Sequence, residues 1–456
     1  MLSAHKNMEA DIHEASDTKL LRVLGAAFGI AIVIGGMIGV GILRTPGIVA
    51  ANVGSAWGIA LIWILGGIYT LCAANSYAEL GSAFPESGGP YVFVKKAFGR
   101  FAGFVAGWSD WFLNTAACSY LAVATAEYAV MLFRSDESLI PIVAVILVLM
   151  IGGLHVLGVR AGAGAQKLVS LFKVLGFAVL IGACFILGGE DGAAAGVGTV
   201  TPITSPILSF AAVIISMQAV IETYAGYNAV VYFGEEQTDP GRNVPRALFL
   251  GVALVTLIYL LVNLALLYTL PIGTIAASKL PAADAARVIF GETGMTVITA
   301  LSFLSLLGIL NANIMQTPRV LFALSRDRLF AEGGATVNSG GTPSVALFAT
   351  VGVAVVLALT GTFESLLAIS AFMGVSVDTA AFASLIVLRK KLPDLPRPFP
   401  AIGFPVIPAV IVAVSILLLV AYFLANTTPS LIGIAAMFAA YPGYVLLNKR
   451  SAGSPN

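Results

Sequence analysis

Four glycines stand inside a hydrophobic run at residues 35–41, which reads Gly35, Gly36, Met37, Ile38, Gly39, Val40, Gly41. Each glycine costs a helix interior about 1 kcal/mol relative to alanine, and backbone groups freed inside a bilayer must find new partners. Such a segment is tolerated where it lines a cavity. Residues 23–34 and 42–53 are therefore predicted as two half-helices meeting at mid-membrane, with Pro46 in the first turn of the second. The N-terminal end of the second half faces an anion, and the carbonyl end of the first faces a cation; an amino acid carries both charges on one carbon. The same residues also read as a small-residue face for close helix packing. A second interruption, from Glu222 through Thr223, Tyr224, Ala225, Gly226 and Tyr227 to Asn228, falls within the apolar stretch 207–233. Glu222 and Asn228 at membrane depth place this backbone beside a polar space, where Glu222 either carries a proton or attracts a cationic side chain. Lys173 stands alone among apolar residues, which makes it functional by default unless it snorkels to an interface. Its ammonium can be held if carbonyls near Gly35 and a hydroxyl, with Ser305 as the candidate, replace its water.

The elements that must position these groups are membrane helices. The 456 residues are 59% hydrophobic and 10% charged, with a mean hydropathy of +0.97, against about 25% charged in an average soluble domain. Apolar runs long enough to span, roughly 20 residues each, recur along nearly the whole length and leave no room for a separate soluble domain. Basic residues concentrate in alternate loops, among them Lys95, Lys96, Arg100, Arg160, Lys167, Arg242, Arg246, Arg326, Arg328, Arg389, Lys390, Lys391 and Arg397. The opposite loops hold only Arg134, Lys279 and Arg287. The positive-inside rule then puts both termini in the cytoplasm and makes the number of spans even. Cys72, Cys118 and Cys184 all fall in apolar runs and imply no disulfide framework.

Twelve spans are predicted. After the interrupted first they fall near 57–84, 101–133, 139–157, 168–187, 207–233 (interrupted), 247–270, 295–324, 344–359, 365–388, 406–424 and 430–447. Residues 188–205 and 271–292 are expected outside, the latter with a short helix over 282–290. Residues 1–20 form a polar cytoplasmic tail, 21–448 one membrane domain and 449–456 a second tail. Paired interruptions with four unbroken spans between them mark two five-helix repeats of opposite orientation, about 21–190 and 206–391, with two further helices in 404–448.

The motifs resemble those of the amino acid-polyamine-organocation superfamily of transporters. The first span carries Met37, Ile38, Gly39, Val40, Gly41 and Ile42, with methionine where the family writes its first glycine. Tyr77, Ala78, Glu79, Leu80 and Gly81 are followed by Pro85 and by Ser87, Gly88 and Gly89. Glu235, Glu236, Pro240, Arg242, Pro245 and Arg246 follow the sixth span, and Asn311, Arg319, Arg326 and Asp327 lie at the family's spacing in the eighth. The resemblance implies a LeuT-type, all-α fold and amino acid transport by alternating access. It implies that Ile38, Gly39, Val40 and Gly41 hold a substrate carboxylate through backbone N–H groups. The carbonyls of Glu222, Thr223 and Ala225 would hold its ammonium, and Asn228 belongs to the same substrate site. Lys173 sits where sodium-independent members carry a lysine that stands in for sodium; with Gly35 and Ser305 it forms the coupling set. Two departures bear on the substrate. The sixth span writes Ala225, Gly226, Tyr227, Asn228 where neutral amino acid exchangers write glycine, glycine, tryptophan, asparagine, and Glu222 replaces a large gating aromatic.

Other buried candidates have plainer readings. Asp110 and Glu127 lie near the ends of the third span, where hydration or a polar partner accounts for them. Asp378 touches either a water-filled pathway or a structural partner, Glu79 is expected to pair with an arginine near the gate, and Tyr224 and Tyr227 wall a pocket or pack. His5, His13 and His155 have no metal spacing, and neither a Ser-His-Asp set nor a phosphate loop is visible, which argues against a membrane hydrolase or an ATP-driven pump. No cofactor, metal or nucleic-acid partner is expected. The sequence thus reads as a sodium-independent amino acid carrier of the cell membrane, working by proton symport or exchange. A polyamine or cationic amino acid carrier is the nearest rival; a nontransporting sensor lacks a flanking signalling domain, and a channel lacks a continuous polar stripe.

Overall fold

The computed structural model describes residues 19–188, 206–360 and 363–452, with side chains undescribed at 206–211, 363–364 and 446–452. Residues 1–18, 189–205 and 453–456, which include His5, His13 and most of the predicted external loop, lie outside it. The described chain is helical with no strand; its β-type pairing consists of isolated bridges, one of them between Leu24 and Gln237. The first span is two pieces, α1 (Ala26–Met37) and α2 (Gly41–Val53), bent by 48° at the glycine run. Gly54, at φ 67°, ends α2. The Ser55 hydroxyl then accepts from the Gly58 N–H at 3.2 Å and caps α3 (Ala56–Ala83).

There follow α4 (Pro90–Phe98), α5 (Arg100–Phe133), α6 (Ile140–Val156) and α7 (Val159–Leu187). Next come α8 (Pro206–Thr223), a 3₁₀ segment (Tyr227–Tyr232), α9 (Pro240–Thr269) and the short helices α10 (Ile272–Ala277) and α11 (Pro281–Phe290). The chain closes with α12 (Thr293–Arg326), the 16-residue α13 (Ser344–Leu359), α14 (Phe363–Lys391), α15 (Val406–Ala425) and α16 (Thr427–Ala452). Eight helices are long and apolar enough to cross a membrane, or nine with the bent pair, so the protein is a multi-pass membrane protein.

Several expected boundaries shift. The fifth span starts at Val159, nine residues before the expected 168, because Arg160 and Lys167 extend a helix into the interface instead of preceding it. The seventh starts at Pro240, where proline occupies the first turn at no hydrogen-bond cost. The loop expected around Lys95 and Lys96 is the helix α4, and α16 runs through Ala452 into the predicted tail. In the bundle α5 packs along α12, α3 along α9, α1 against α9 and α7, and α14 against α5. Trp63 of α3, Tyr224 and Tyr259 of α9 form an aromatic cluster beside the breaks, with Tyr224 and Tyr259 centroids 5.0 Å apart and Trp63 and Tyr259 5.5 Å apart.

Candidate functional site

The two breaks meet backbone to backbone. A Cβ added at Gly226 would stand 2.6 Å from the Gly36 carbonyl oxygen, and one at Gly36 would stand 3.0 Å from the Gly226 carbonyl oxygen. Gly226 also takes φ 90°, a left-handed conformation open to glycine at little cost. Only glycine at both positions lets the interrupted segments touch here.

Ending α1 at Met37 leaves its last carbonyls without helical partners, and the neighbouring helices supply donors. Gln166, Ser170 and Lys173 fall at i, i+4 and i+7 on α7 and form one buried polar stripe along α1. The Ser170 hydroxyl donates to the Ala31 carbonyl at 2.7 Å, and Lys173 Nζ donates to the carbonyls of Gly35 and Ile38, each at 2.8 Å. Asn311 of α12 donates to Gln166 Oε1 at 2.6 Å and ties the stripe to a third helix. Lys173 is fully buried with Gly308 of α12 against its ammonium end, so it does not snorkel. Ser305 is not among its partners. The Ser305 hydroxyl is buried and makes no hydrogen bond among the described residues, and the carbonyl of Ile38 takes the place expected of it.

The start of α2 exposes N–H groups. Those of Gly39, Val40 and Gly41 donate no hydrogen bond among the described residues, and Val40 and Gly41 are partly accessible. Ile38 departs from the expected set: its N–H donates to the Ile34 carbonyl at 3.0 Å, closing the last turn of α1, while its carbonyl faces Lys173. At the second break the Glu222 carbonyl accepts from the Ala225 N–H at 3.1 Å and that of Thr223 accepts from the Tyr259 hydroxyl at 3.0 Å, which leaves the Ala225 carbonyl without a donor among the described residues. The same Tyr259 hydroxyl lies 2.8 Å from the Met37 carbonyl, so one side chain bridges the carbonyl ends of both interrupted helices. Thr45 and Thr223 share a hydroxyl hydrogen bond at 2.8 Å between α2 and α8.

The acidic and amide side chains turn away from the backbone gap. The Tyr422 hydroxyl of α15 donates to the Glu222 carboxylate. Asn228 donates to Asp378 Oδ1 at 3.2 Å, an oxygen that also accepts from Tyr77 at 2.5 Å, while Tyr227 lies 3.5 Å from Oδ2. Asp378 is thus the structural partner of the second break, and Asn228 serves that contact. Asp110 is 2% exposed and accepts from Tyr232 at 2.8 Å and Asn114 at 2.9 Å. Its partners at depth are thus polar side chains.

At the basic end, the motif residues of distant segments converge. Arg319 forks onto Glu236 at 2.8 and 2.7 Å with both side chains buried, and the Glu236 carbonyl accepts from the Leu24 N–H ahead of α1 at 2.8 Å. Arg326 pairs with Glu235 at 2.7 Å, and Asp327 takes Lys95 and the Tyr91 hydroxyl. Burial, then the Asp327 carboxylate, raises the Tyr91 hydroxyl above its ordinary range, so it remains a donor. Glu79 pairs with Arg389 at 2.5 Å and Arg397 at 2.9 Å. Tyr259 and Tyr422 were not read from the sequence, since an aromatic residue in an apolar helix carries no sign of its hydroxyl's target. The Gln166, Ser170, Lys173 spacing was a legible signal.

Residues 29–447 match the family model described as amino acid permease. The chain is 29% identical to the serine/threonine exchanger SteT of Bacillus subtilis (strain 168), over 96% of this chain and 99% of that protein. It is 29% identical to the human large neutral amino acids transporter small subunit 2, over 94% and 80%, and 26% identical to the mouse b(0,+)-type amino acid transporter 1, over 90% and 84%.

Proposed function

Because the chain belongs to the amino acid permease family, we propose that it carries amino acids across the cell membrane by alternating access, without sodium, as a proton symporter or an exchanger. One observation supports this most. Across the Gly36–Gly226 contact, the free N–H groups of Gly39, Val40 and Gly41 stand at a positive helix end, and the unpaired carbonyl of Ala225 lies at the opposing break. A carboxylate suits the first and an ammonium the second. Lys173, whose Nζ donates to the carbonyls of Gly35 and Ile38, offers an ammonium where a sodium ion would otherwise be needed. The exchange of serine and threonine named for one relative, and the large neutral substrates named for another, support an amino acid as cargo. Twelve spans in two inverted five-helix repeats, with both termini cytoplasmic, complete this reading; the paired breaks support it.

Uptake of labelled amino acids into proteoliposomes tests it, with sodium replaced by choline and with putrescine or cadaverine as competitors. Uptake is expected to persist in choline, and neither diamine should compete as well as the best amino acid, because neither has a carboxylate for residues 39–41. Competition by a diamine equal to that amino acid would overturn the reading in favour of a polyamine carrier, and stimulation by sodium would remove the role given to Lys173.

A further inference from the structure

Asp110 is a buried carboxyl group with no charge to answer it. It lies ten residues into α5, about 15 Å above the basic end at the helical rise, and no lysine, arginine or histidine pairs with it among the described residues. The groups facing it can be named from each side. The Tyr232 hydroxyl comes from the 3₁₀ segment after the second break, Asn114 from its own helix, and the Asp378 carboxylate acts on it from α14. Behind Asn114 stands Gln316 of α12, donating at 3.2 Å to Asn114 Oδ1 and at 3.2 Å to Asn313 Oδ1. None of these is a cation.

The two oxygens of Asp110 are treated unequally. Both side-chain donors, Tyr232 and Asn114, converge on Oδ1, and Oδ2 is buried with no hydrogen-bond partner among the described residues. An ionised carboxylate wants donors on both oxygens, and leaving one bare in a low-dielectric interior is costly. A neutral acid fits the pattern: its carbonyl oxygen accepts the two bonds and its proton sits on the other. Asp378 shows the contrasting pattern, with hydroxyl groups at both oxygens and Asn228 at one. Two carboxyls whose surroundings differ in this way are suited to opposite protonation states.

We propose that Asp110 is a proton-carrying group of the transport cycle, holding a proton while Tyr232 is docked on it and releasing it when the segment bearing Tyr232 moves away. This rests on the reading of the chain as a carrier. Tyr232 follows the second break by four residues, on the segment expected to move, whereas Asp110 belongs to a long continuous helix. Parting the two opens Asp110 to water at the basic end. The acid then becomes carboxylate plus a proton in that water, and the carboxylate regains one proton from the side of the second break, where Asp378 stands, before Tyr232 docks again. One proton crosses per cycle and no bond other than O–H is made or broken.

The test uses proteoliposomes loaded with a pH-reporting dye, measuring amino acid counterflow and substrate-driven proton entry on the same protein. Wild type should show both. Asp110→Asn, which keeps the shape and the Tyr232 contact, should keep counterflow and lose proton entry, and Asp110→Glu should restore proton entry at least in part. Proton entry in Asp110→Asn equal to wild type, or its absence in wild type, overturns the proposal. Should Asp110→Asn lose counterflow as well, Asp110→Glu decides: counterflow restored without proton entry overturns the proposal, and both restored together upholds it. Absence of counterflow in every protein, wild type included, would instead defeat the carrier reading itself.

Discussion

The two helix breaks are held by opposite chemistry. At the first, the chain stops being helical over residues 38–40 and offers carbonyl oxygens, which a cation on α7 and a hydroxyl on α9 receive. At the second, the chain turns through a left-handed glycine and offers an amide and a hydroxyl, which an anion on α14 receives. A buried cation needs acceptors and a buried anion needs donors, so each break selects the sign of its partner by the groups it leaves bare. The charges therefore report the geometry: Lys173 marks where carbonyls point, and Asp378 where side-chain donors do.

Substitutions at the breaks sharpen this contrast. The largest loss is expected from Gly226→Ala, which strikes both breaks at once. Its methyl group would lie 2.6 Å from the Gly36 carbonyl oxygen, and the left-handed backbone alone adds about 1–3 kcal/mol of strain. Little monodisperse protein should be recovered by size-exclusion chromatography in detergent, and normal recovery with a normal melting temperature would show that the two segments need not touch.

Lys173→Ala acts on the first break alone. It leaves the carbonyls of Gly35 and Ile38 without donors, at about 1–3 kcal/mol for each buried orphan, so net uptake should fall by roughly tenfold or more. Counterflow should suffer less, because exchange never requires the empty carrier to reorient. Equal loss of both would place Lys173 in folding and remove it from coupling.

The smallest change is Tyr259→Phe, which removes one hydroxyl shared between the Met37 and Thr223 carbonyls. About 1 kcal/mol is expected, read as a lowered melting temperature with substrate selectivity unchanged. A shift confined to the preference among substrates would mean that Tyr259 faces the cargo.

How much of this was legible follows from the same physics. Glycines in an apolar run and a lone lysine violate strong rules, so the first break and its partner helix stood out. Ile38 and Ser305 were misjudged because a chain pattern does not say which atoms of a break are used: the N–H of Ile38 closes α1, and its carbonyl, in place of a hydroxyl on α12, completes the site of Lys173. Asn228 and Glu222 were read as facing the cargo because they are polar at depth. Their partners, Asp378 and Tyr422, lie 150 and 200 residues away, and only tertiary packing brings them close. The early starts of α7 and α9 were missed for a related reason, since charged and proline-rich sequence at an interface can be helical when the helix simply continues past the lipid.

The 16-residue helix α13 bears on the lipid around the protein. Its rise is about 24 Å, against a hydrocarbon core of about 30 Å. Val345, Phe348, Val356 and Leu359 are exposed along it, so an apolar flank shorter than the surrounding acyl chains meets them directly. The membrane must thin beside α13 or leave its ends wetted, and either response costs fractions of a kcal/mol per Å of mismatch. The acyl-chain length of the surrounding membrane thereby sets a mismatch energy at α13, a helix that contains neither break.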